Sequence, residues 1–321
     1  MSSLTRDAGK PRRMRLAALA VAIALAVLAQ VLAGMARGQE RIVGGAPAAP
    51  DSLPFMAAIW HAGKPKDPAC DGTLIAPRMV LTAASCVHAF SPFQPDAAAT
   101  YRKLPAGELS VSFAGPGGGV KDSPRMSVES VAVHPGYDID RCLVPDFWLL
   151  VSCRDDVAIL RLASAPAGAA PVGLPRSGQN ALTQAGAEVT VAGWSAARAL
   201  SPGVGALTRA ALTVSQPGLC ERRYEGLGER YGMTPRVRYD RAAAFCAYEA
   251  SAGPCYGEMG GPALARAGGE WVQVGVLGPV AFCAEAKWPS IFTRVSEPTV
   301  NRWIRQAAGL EAGRAGKGAK E

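Results

Sequence analysis

Residues 109–113 read Leu109-Ser-Val-Ser-Phe113, a strict alternation of apolar and polar side chains. Alternating or β-branched runs of the same kind recur along the chain, separated by Gly, Pro and Asp: Val128–Val133, Val157–Leu160, Glu188–Val191, Val272–Val276 and Ile291–Val295. Period-two patterning with turn residues between the runs is typical of antiparallel sheet. The sequence therefore predicts an all-β fold, either a sandwich or a barrel.

One helix is predicted near the end of the chain. Ser296 suits the N-cap position and Pro298 suits the first turn. Apolar residues then follow at helical spacing, namely Val300, Trp303, Ile304 and Ala307. Residues 309–321 are rich in Gly, Ala and Lys without an apolar period, so they are predicted to form a mobile tail.

The first 36 residues have the layout of an export signal. Basic residues between Arg6 and Arg15 precede an apolar run, Leu16–Ala29, and small residues at Gly34–Ala36 suit a cleavage site. We predict a signal peptide over residues 1–36, a short propeptide over 37–41 and no stable membrane insertion once the signal is removed. The alternative is an uncleaved membrane anchor, for which the uninterrupted apolar run is short.

Composition narrows the function classes. The chain has 321 residues, 49% of them hydrophobic, which suits one large domain or two fused halves. Of the net charge of +8, the signal carries +4, and the remaining +4 does not indicate a nucleic-acid partner.

The cysteines point to disulfides. Eight follow the export signal, namely Cys70, Cys86, Cys142, Cys153, Cys220, Cys246, Cys255 and Cys283. There is no CxxC pair and there are only three histidines, so neither a zinc site nor any other cofactor is expected.

Four motifs in order carry a family resemblance. They are Arg41-Ile-Val-Gly-Gly45, the pair Cys70–Ile75 and Val80-Leu-Thr-Ala-Ala-Ser-Cys86, Asp155–Leu160, and Cys255-Tyr-Gly-Glu-Met-Gly-Gly-Pro262. The chain resembles the trypsin/chymotrypsin-like serine proteases from Ile42 to about Arg305. The resemblance implies two packed six-stranded antiparallel β-barrels with the active site in the cleft between them, a C-terminal helix, and a protease domain over residues 42–308.

The resemblance also implies a disulfide scheme. Cys70 would pair with Cys86, Cys220 with Cys246, and Cys255 with Cys283. Cys142 and Cys153 are left to close a loop inserted before Asp156.

The residues at the catalytic positions depart from the family. By resemblance, Asp156 fills the carboxylate position, Ser85 the imidazole position and Met259 the nucleophile position. A serine hydroxyl is no general base near neutral pH, and a thioether has no proton to lose. His88 and His134 are predicted to be surface residues and not substitute bases. The N–H groups of Gly257 and Met259 are the oxyanion-hole equivalents.

The specificity pocket and the activation switch are assigned in the same way. Gly253 stands at the pocket floor, and the wall positions are Gly278, Val280, Phe282 and Ser290. These residues predict a narrowed or closed pocket without charge selectivity. An activating trypsin-like protease cleaving after Arg41 would free the amine of Ile42, for which Glu258 is the expected carboxylate partner.

These features predict a secreted or periplasmic protease homologue that is inactive and binds an unidentified protein or peptide. One alternative is an active endopeptidase with an unorthodox base. Another is a cationic effector similar to azurocidin, an inactive relative. The segment between Cys220 and Cys246, rich in Arg and Tyr, is either a contact surface or a solvated insertion.

Overall fold

Strands dominate the computed structural model of the protein. It describes residues 42–49, 51–64, 66–91, 100–115, 118–139, 143–144, 149–150, 153–194, 206–230, 239–255, 257–280 and 288–310. The predicted signal peptide, propeptide and most of the predicted tail lie outside these ranges.

The described residues form seventeen strands and two α-helices. The strands are β1 (Ala46–Pro47), β2 (Met56–His61), β3 (Cys70–Ala76), β4 (Met79–Thr82), β5 (His88–Ser91), β6 (Thr100–Lys103), β7 (Leu109–Phe113), β8 (Met126–Val133), β9 (Leu143–Val144), β10 (Leu149–Leu150), β11 (Ala158–Leu162), β12 (Glu188–Gly193), β13 (Thr208–Val214), β14 (Ala244–Tyr248), β15 (Pro262–Ala267), β16 (Glu270–Leu277) and β17 (Ser290–Arg294). The helices are α1 (Pro217–Arg230) and α2 (Pro298–Ala307).

The first barrel is a closed ring of six antiparallel strands in the order β11-β4-β3-β2-β7-β8. Strand β2 is buried from Met56 to Trp60, because it pairs with β3 on one side and β7 on the other inside the packed core. Two hairpins, β5–β6 and β9–β10, lie outside the ring.

The second barrel has the order β13-β12-β15-β16-β17-β14, and pairing between β13 and β14 closes it. The short strand β1 adds to the outside of β13. In the core, the rings of Phe245 and Phe292 stack with centroids 5.3 Å apart. The two six-stranded antiparallel barrels confirm the fold predicted from the resemblance.

The C-terminal helix is confirmed, but its predicted cap is wrong by one residue. The N-cap is Glu297, whose Oε2 accepts hydrogen bonds from the N–H groups of Thr299 and Val300, both at 2.8 Å. Ser296 is buried, and its hydroxyl donates to Asn180 Oδ1 at 2.7 Å instead. Within the described ranges, no helix is long and apolar enough to cross a membrane.

Two disulfides are formed between described residues, Cys70–Cys86 and Cys220–Cys246. Cys153 and Cys255 are also disulfide-bonded. Their implied partners, Cys142 and Cys283, lie outside the described residues, so those two pairings stay predictions.

Candidate functional site

Strand pairing brings Ser85 and Asp156 together. Ser85 opens a 3₁₀ turn shortly after β4, and Asp156 lies two residues before β11, which starts at Ala158. Strands β4 and β11 are antiparallel neighbours, with Thr82 opposite Ala158. The end of one strand therefore meets the start of the other, and the two polar side chains face each other across the pair.

Ser85 donates hydrogen bonds to both oxygens of the Asp156 carboxylate. The Ser85 N–H donates to Oδ1 at 2.7 Å, and the Ser85 hydroxyl donates to Oδ2 at 3.0 Å. Asp156 is fully buried, which raises its pKa to about 6, and the hydrogen bonds from Ser85 and Ala84 limit that rise. A buried carboxylate is thus held in place by serine, without an imidazole.

Aromatic residues surround this pair. The Tyr101 hydroxyl lies 3.5 Å from the Ser85 carbonyl oxygen and 3.2 Å from the Tyr137 hydroxyl. Burial raises the pKa of both tyrosines, and the nearby Asp156 charge adds to this. The His88 ring stacks on Tyr101 with centroids 4.8 Å apart.

All three histidines are bound elsewhere. His61 Nε2 lies 2.8 Å from the Cys86 carbonyl oxygen, and His88 Nδ1 lies 2.7 Å from the Ala84 carbonyl oxygen. His134 Nδ1 accepts a hydrogen bond from the Gly136 N–H at 3.1 Å. None of these imidazoles is hydrogen-bonded to Asp156.

The prediction that His134 and His88 are surface residues is wrong for His134. Its exposed fraction is only 7%, and its ring packs edge-on against Trp303 of α2 at 5.1 Å. Burial lowers the His134 pKa, while the neighbouring Asp155 charge opposes this. His88 is half-buried beneath Tyr101.

Met259 reaches the Ser85 turn through its main chain. Its carbonyl oxygen accepts a hydrogen bond from the Asp71 N–H at 2.9 Å and lies 3.3 Å from Cys86 Sγ. The Met259 side chain is partly buried and packs against the first hydrophobic core. The following residue, Gly260, has φ of +80°, and a Cβ there would overlap Thr82 and stand 2.5 Å from the Asp71 carbonyl oxygen. Only glycine fits at that position.

The predicted oxyanion-hole residues flank Glu258. Gly257 has φ of +94°, a conformation that favours glycine. Neither its N–H nor that of Met259 donates to another group among the residues described. Both N–H groups therefore lack an acceptor within the described part of the chain.

The activation segment lies on the second barrel. Ile42 is buried, and its N–H donates to Thr208 Oγ1 at 3.1 Å. The next residue, Val43, accepts a hydrogen bond from the N–H of Gly253, the predicted pocket floor, at 3.0 Å. The predicted ion pair between Ile42 and Glu258 requires a cleaved chain and stays a prediction.

Glu258 has an unexpected acidic neighbour, Asp71. Both side chains are buried and both approach Gly193, where a Cβ would overlap the Asp71 carboxylate and stand 2.9 Å from Glu258 Oε1. Glu258 Oε2 accepts a hydrogen bond from the Cys255 N–H at 2.7 Å, and Asp71 Oδ2 accepts one from the Trp194 N–H at 3.3 Å. Burial raises the Asp71 pKa well above its usual range, and the Glu258 charge raises it further.

Two of the predicted pocket residues lie around very little free space. Gly253 and Ser290 line a cavity of about 10 Å³, together with Trp288. That is about the volume needed to hold one water molecule. Val280 packs against the second core. A Cβ added at Gly278 would lie 3.9 Å from Asp156 Oδ2. Phe282 lies outside the described residues.

Sequence reasoning missed Asp71 and Thr208. Asp71 follows Cys70 in a motif that was used only to assign the strand, and Thr208 carries no motif at all. In the part of the chain that the structure describes, no three His, Cys, Asp or Glu side chains come together as metal ligands would.

Two antiparallel six-stranded barrels, with a buried aspartate where β4 and β11 meet, define the chymotrypsin-like fold. Residues 42–304 match the family model described as Trypsin. The chain is 24% identical over 274 residues to Serine protease 28 of Mus musculus, a match that covers 83% of this chain and 88% of that protein. The chain therefore belongs to the trypsin-like serine protease family.

Proposed function

We propose that the protein is a non-catalytic member of this family that binds a protein or peptide. The observation that carries the proposal is that Ser85, and not a histidine, is hydrogen-bonded to the Asp156 carboxylate. In the family mechanism a buried carboxylate orients the imidazole that removes a proton from the nucleophile. Here Ser85 occupies both carboxylate oxygens, at 2.7 and 3.0 Å, and every histidine is bonded to other groups.

The nucleophile position supports the same proposal. Met259 offers a thioether, which forms no acyl intermediate, and it serves as a packing residue against the first core. Removing the catalytic serine or histidine alone costs about a millionfold in rate, and residual stabilisation by backbone N–H groups leaves roughly a thousandfold over water. Proteolysis at a useful rate is not expected from this arrangement.

A binding role is supported by features that the loss of catalysis leaves in place. The N–H groups of Gly257 and Met259 have no acceptor among the described residues, which makes them candidate donors to a peptide carbonyl oxygen. Arg222 and Arg223 are exposed on α1 and offer guanidinium groups to a partner. The disulfides and the predicted signal peptide support an exported protein, either secreted or periplasmic.

The loss of catalysis is tested with a fluorophosphonate probe and a casein assay. The full chain is cleaved after Arg41 with immobilised trypsin, which is then removed, and is compared with the S85H/M259S variant. We expect no labelling and no casein cleavage by the wild type. We expect labelling of the variant, because it returns a base and a nucleophile to the retained Asp156. Stoichiometric labelling of the wild type would favour an active endopeptidase and overturn the proposal.

The binding role needs a separate experiment. Affinity purification from the protein's native surroundings is carried out with the wild type and with R222E/R223E, and E188Q, an exposed change on β12, serves as the control. A partner retained by the wild type and by E188Q but lost with R222E/R223E supports α1 as the contact surface. Equal recovery with all three proteins contradicts that assignment.

A further inference from the structure

A second cavity, of about 290 Å³, lies in the second barrel at the start of helix α1. Its walls come from residues 180–185, the end of β13, the segment before β14 and the last residue of β17. None of the residues around Ser85, Asp156 or Met259 lines it. The cavity is therefore distinct from the candidate site described above.

Arg294 places in the cavity wall a positive charge that has no acidic partner among the described residues; its guanidinium lies over the Phe245 ring, 5.3 Å from the centroid. Its Nη1 atom donates to the Thr183 hydroxyl and, at 3.4 Å, to the Thr183 carbonyl oxygen, and its Nη2 atom donates to the Ala244 carbonyl oxygen at 3.0 Å. All these acceptors are neutral. Burial lowers the Arg294 pKa, as expected for a cation without a counter-ion. An anion beside this guanidinium would be stabilised.

The nearby carboxylates do not neutralise Arg294. Glu221 binds Arg241 through both of its oxygens, with Oε1 2.5 Å from Nε. Asp240 Oδ2 lies 3.2 Å from Arg154 Nη1. Each nearby acid thus has its own basic partner, whereas no carboxylate among the described residues lies within ion-pair distance of Arg294.

Ser215 adds a hydrogen-bond donor to the same cavity wall. Its exposed fraction is 7%, and its hydroxyl has no hydrogen-bond partner among the described residues. A buried polar atom without a partner is costly unless a ligand or water satisfies it. Ser215 stands two residues before the start of α1, where the helix end also favours negative charge.

We propose that this cavity binds a carboxylate group, with Arg294 supplying the charge and Ser215 a hydrogen bond. A volume of about 290 Å³ is near the lower end for small-molecule pockets, so the ligand is one acid of amino-acid size. That acid is either a free small molecule or the acidic side chain of a peptide. The proposal holds whether or not the protein hydrolyses peptides.

Isothermal titration calorimetry at low salt on the full chain tests the site. The probes are N-acetylglutamate, the capped tripeptide acetyl-Gly-Glu-Gly-amide, and acetyl-Gly-Gln-Gly-amide as the neutral control. We expect saturable binding of an acidic probe and none of the neutral control. Binding of both acidic probes means that the carboxylate suffices, whereas binding of the tripeptide alone identifies a peptide ligand.

Three variants locate the binding. Arg294→Gln should weaken binding about tenfold or more, because a charge-assisted bond is lost, and Ser215→Ala should weaken it by a smaller factor. Arg209→Gln, at an exposed position on β13 outside the cavity, should leave affinity unchanged. If Arg294→Gln does not fold, the test of the site rests on Ser215→Ala and on the neutral probe. The proposal is overturned if no acidic probe binds, if acetyl-Gly-Gln-Gly-amide binds equally well, or if affinity is unchanged in Ser215→Ala.

Discussion

Asp156 and Asp71 are both carboxylates held away from water, and they differ in how they are satisfied. Asp156 accepts two hydrogen bonds from Ser85. Asp71 accepts one from the Trp194 N–H, and its Oδ1 atom has no hydrogen-bond partner in the described part of the chain. Folding therefore favours the protonated form of both acids, and of Asp71 more strongly.

The bond from Ser85 to Asp156 makes the stability of a Ser85→Ala variant depend on pH. Above pH 6, the approximate pKa of Asp156, the carboxylate is charged and the hydroxyl bond is charge-assisted. We expect Ser85→Ala to lower the free energy of unfolding by about 1.5–3 kcal/mol at pH 8 and by less at pH 4. Urea unfolding at both pH values measures this, with exposed Ser127→Ala as control. Equal losses at pH 4 and pH 8 would contradict the role assigned to Ser85.

Asp71 should destabilise the folded protein at neutral pH. Because its pKa is raised on folding, the native state binds more protons than the unfolded state, and stability falls as pH rises above the normal aspartate range. Asp71→Asn cannot ionise, so it should be more stable than the wild type at pH 7 by about 1–3 kcal/mol, the usual cost of an unsatisfied buried group. Unfolding free energies from pH 3 to 8 test this, with exposed Asp122→Asn as control. Parallel curves for wild type and Asp71→Asn would refute it.

Among the elements, helix α1 was not predicted from the sequence. The segment between Cys220 and Cys246 was expected to be a contact surface or a solvated insertion. Tyr224, one of its aromatic residues, is instead buried against Trp288, and its hydroxyl donates to the Pro289 carbonyl oxygen at 2.6 Å. Tyr224 and the Cys220–Cys246 disulfide attach α1 to the second barrel.

Tyr224 substitutions measure how firmly α1 is attached. Tyr224→Phe leaves the Pro289 carbonyl without its donor and should lower the free energy of unfolding by about 1–3 kcal/mol. Tyr224→Ala also creates a cavity and should lower it by about 3–5 kcal/mol. Chemical denaturation gives both values, and Tyr248→Phe, at a position with 37% exposure, is the control. If Tyr224→Ala were as stable as the control, α1 would not be docked through this residue.

Periodicity predicted the strands better than the details around them. The run Leu109–Phe113 coincides with β7, because alternation marks a strand with one buried face. The N-cap of α2 was misplaced because the partner of Ser296, Asn180, lies 116 residues away. The sequence predicts a surface position for His134 because its burial depends on Trp303, another distant contact. Local sequence carries neither contact.

At the scale of the whole molecule, the motifs predicted which residues share a site but not the hydrogen bonds and contacts between them. Ser85 and Asp156 were expected in one site, and the structure adds that serine holds the carboxylate directly. The proximity of the Asp71 and Glu258 carboxylates arises because two strands and a loop come together at Gly193. That approach is a property of the packed barrels, so no single motif indicates it.

Cleavage after Arg41 should stabilise the whole chain. Ile42 is already buried, so a new ammonium group there needs a carboxylate, and Glu258 is its expected partner. We expect N-terminal sequencing after trypsin treatment to begin at Ile42, with a higher thermal midpoint than that of the uncut chain. Glu258→Gln should be cut without that increase, and Arg41→Gln should not be cut at this position. A start at Arg37, or an unchanged midpoint on cleavage of the wild type, would rule the switch out.

The contact at Gly260 bears on how the molecule can move. Thr82 and the Asp71 main chain from the first barrel meet Gly260 of the second barrel with no room for even a methyl group, and the Asp71 N–H bonds to Met259 beside it. A rigid-body motion of one barrel against the other would have to separate or slide these groups, and Thr82 Oγ1, the Asp71 carbonyl and Cys86 Sγ stand directly against Gly260. Opening the molecule along this seam would break the junction. We therefore expect any adjustment to a ligand to come from the surface loops, with the spacing of the two barrels unchanged.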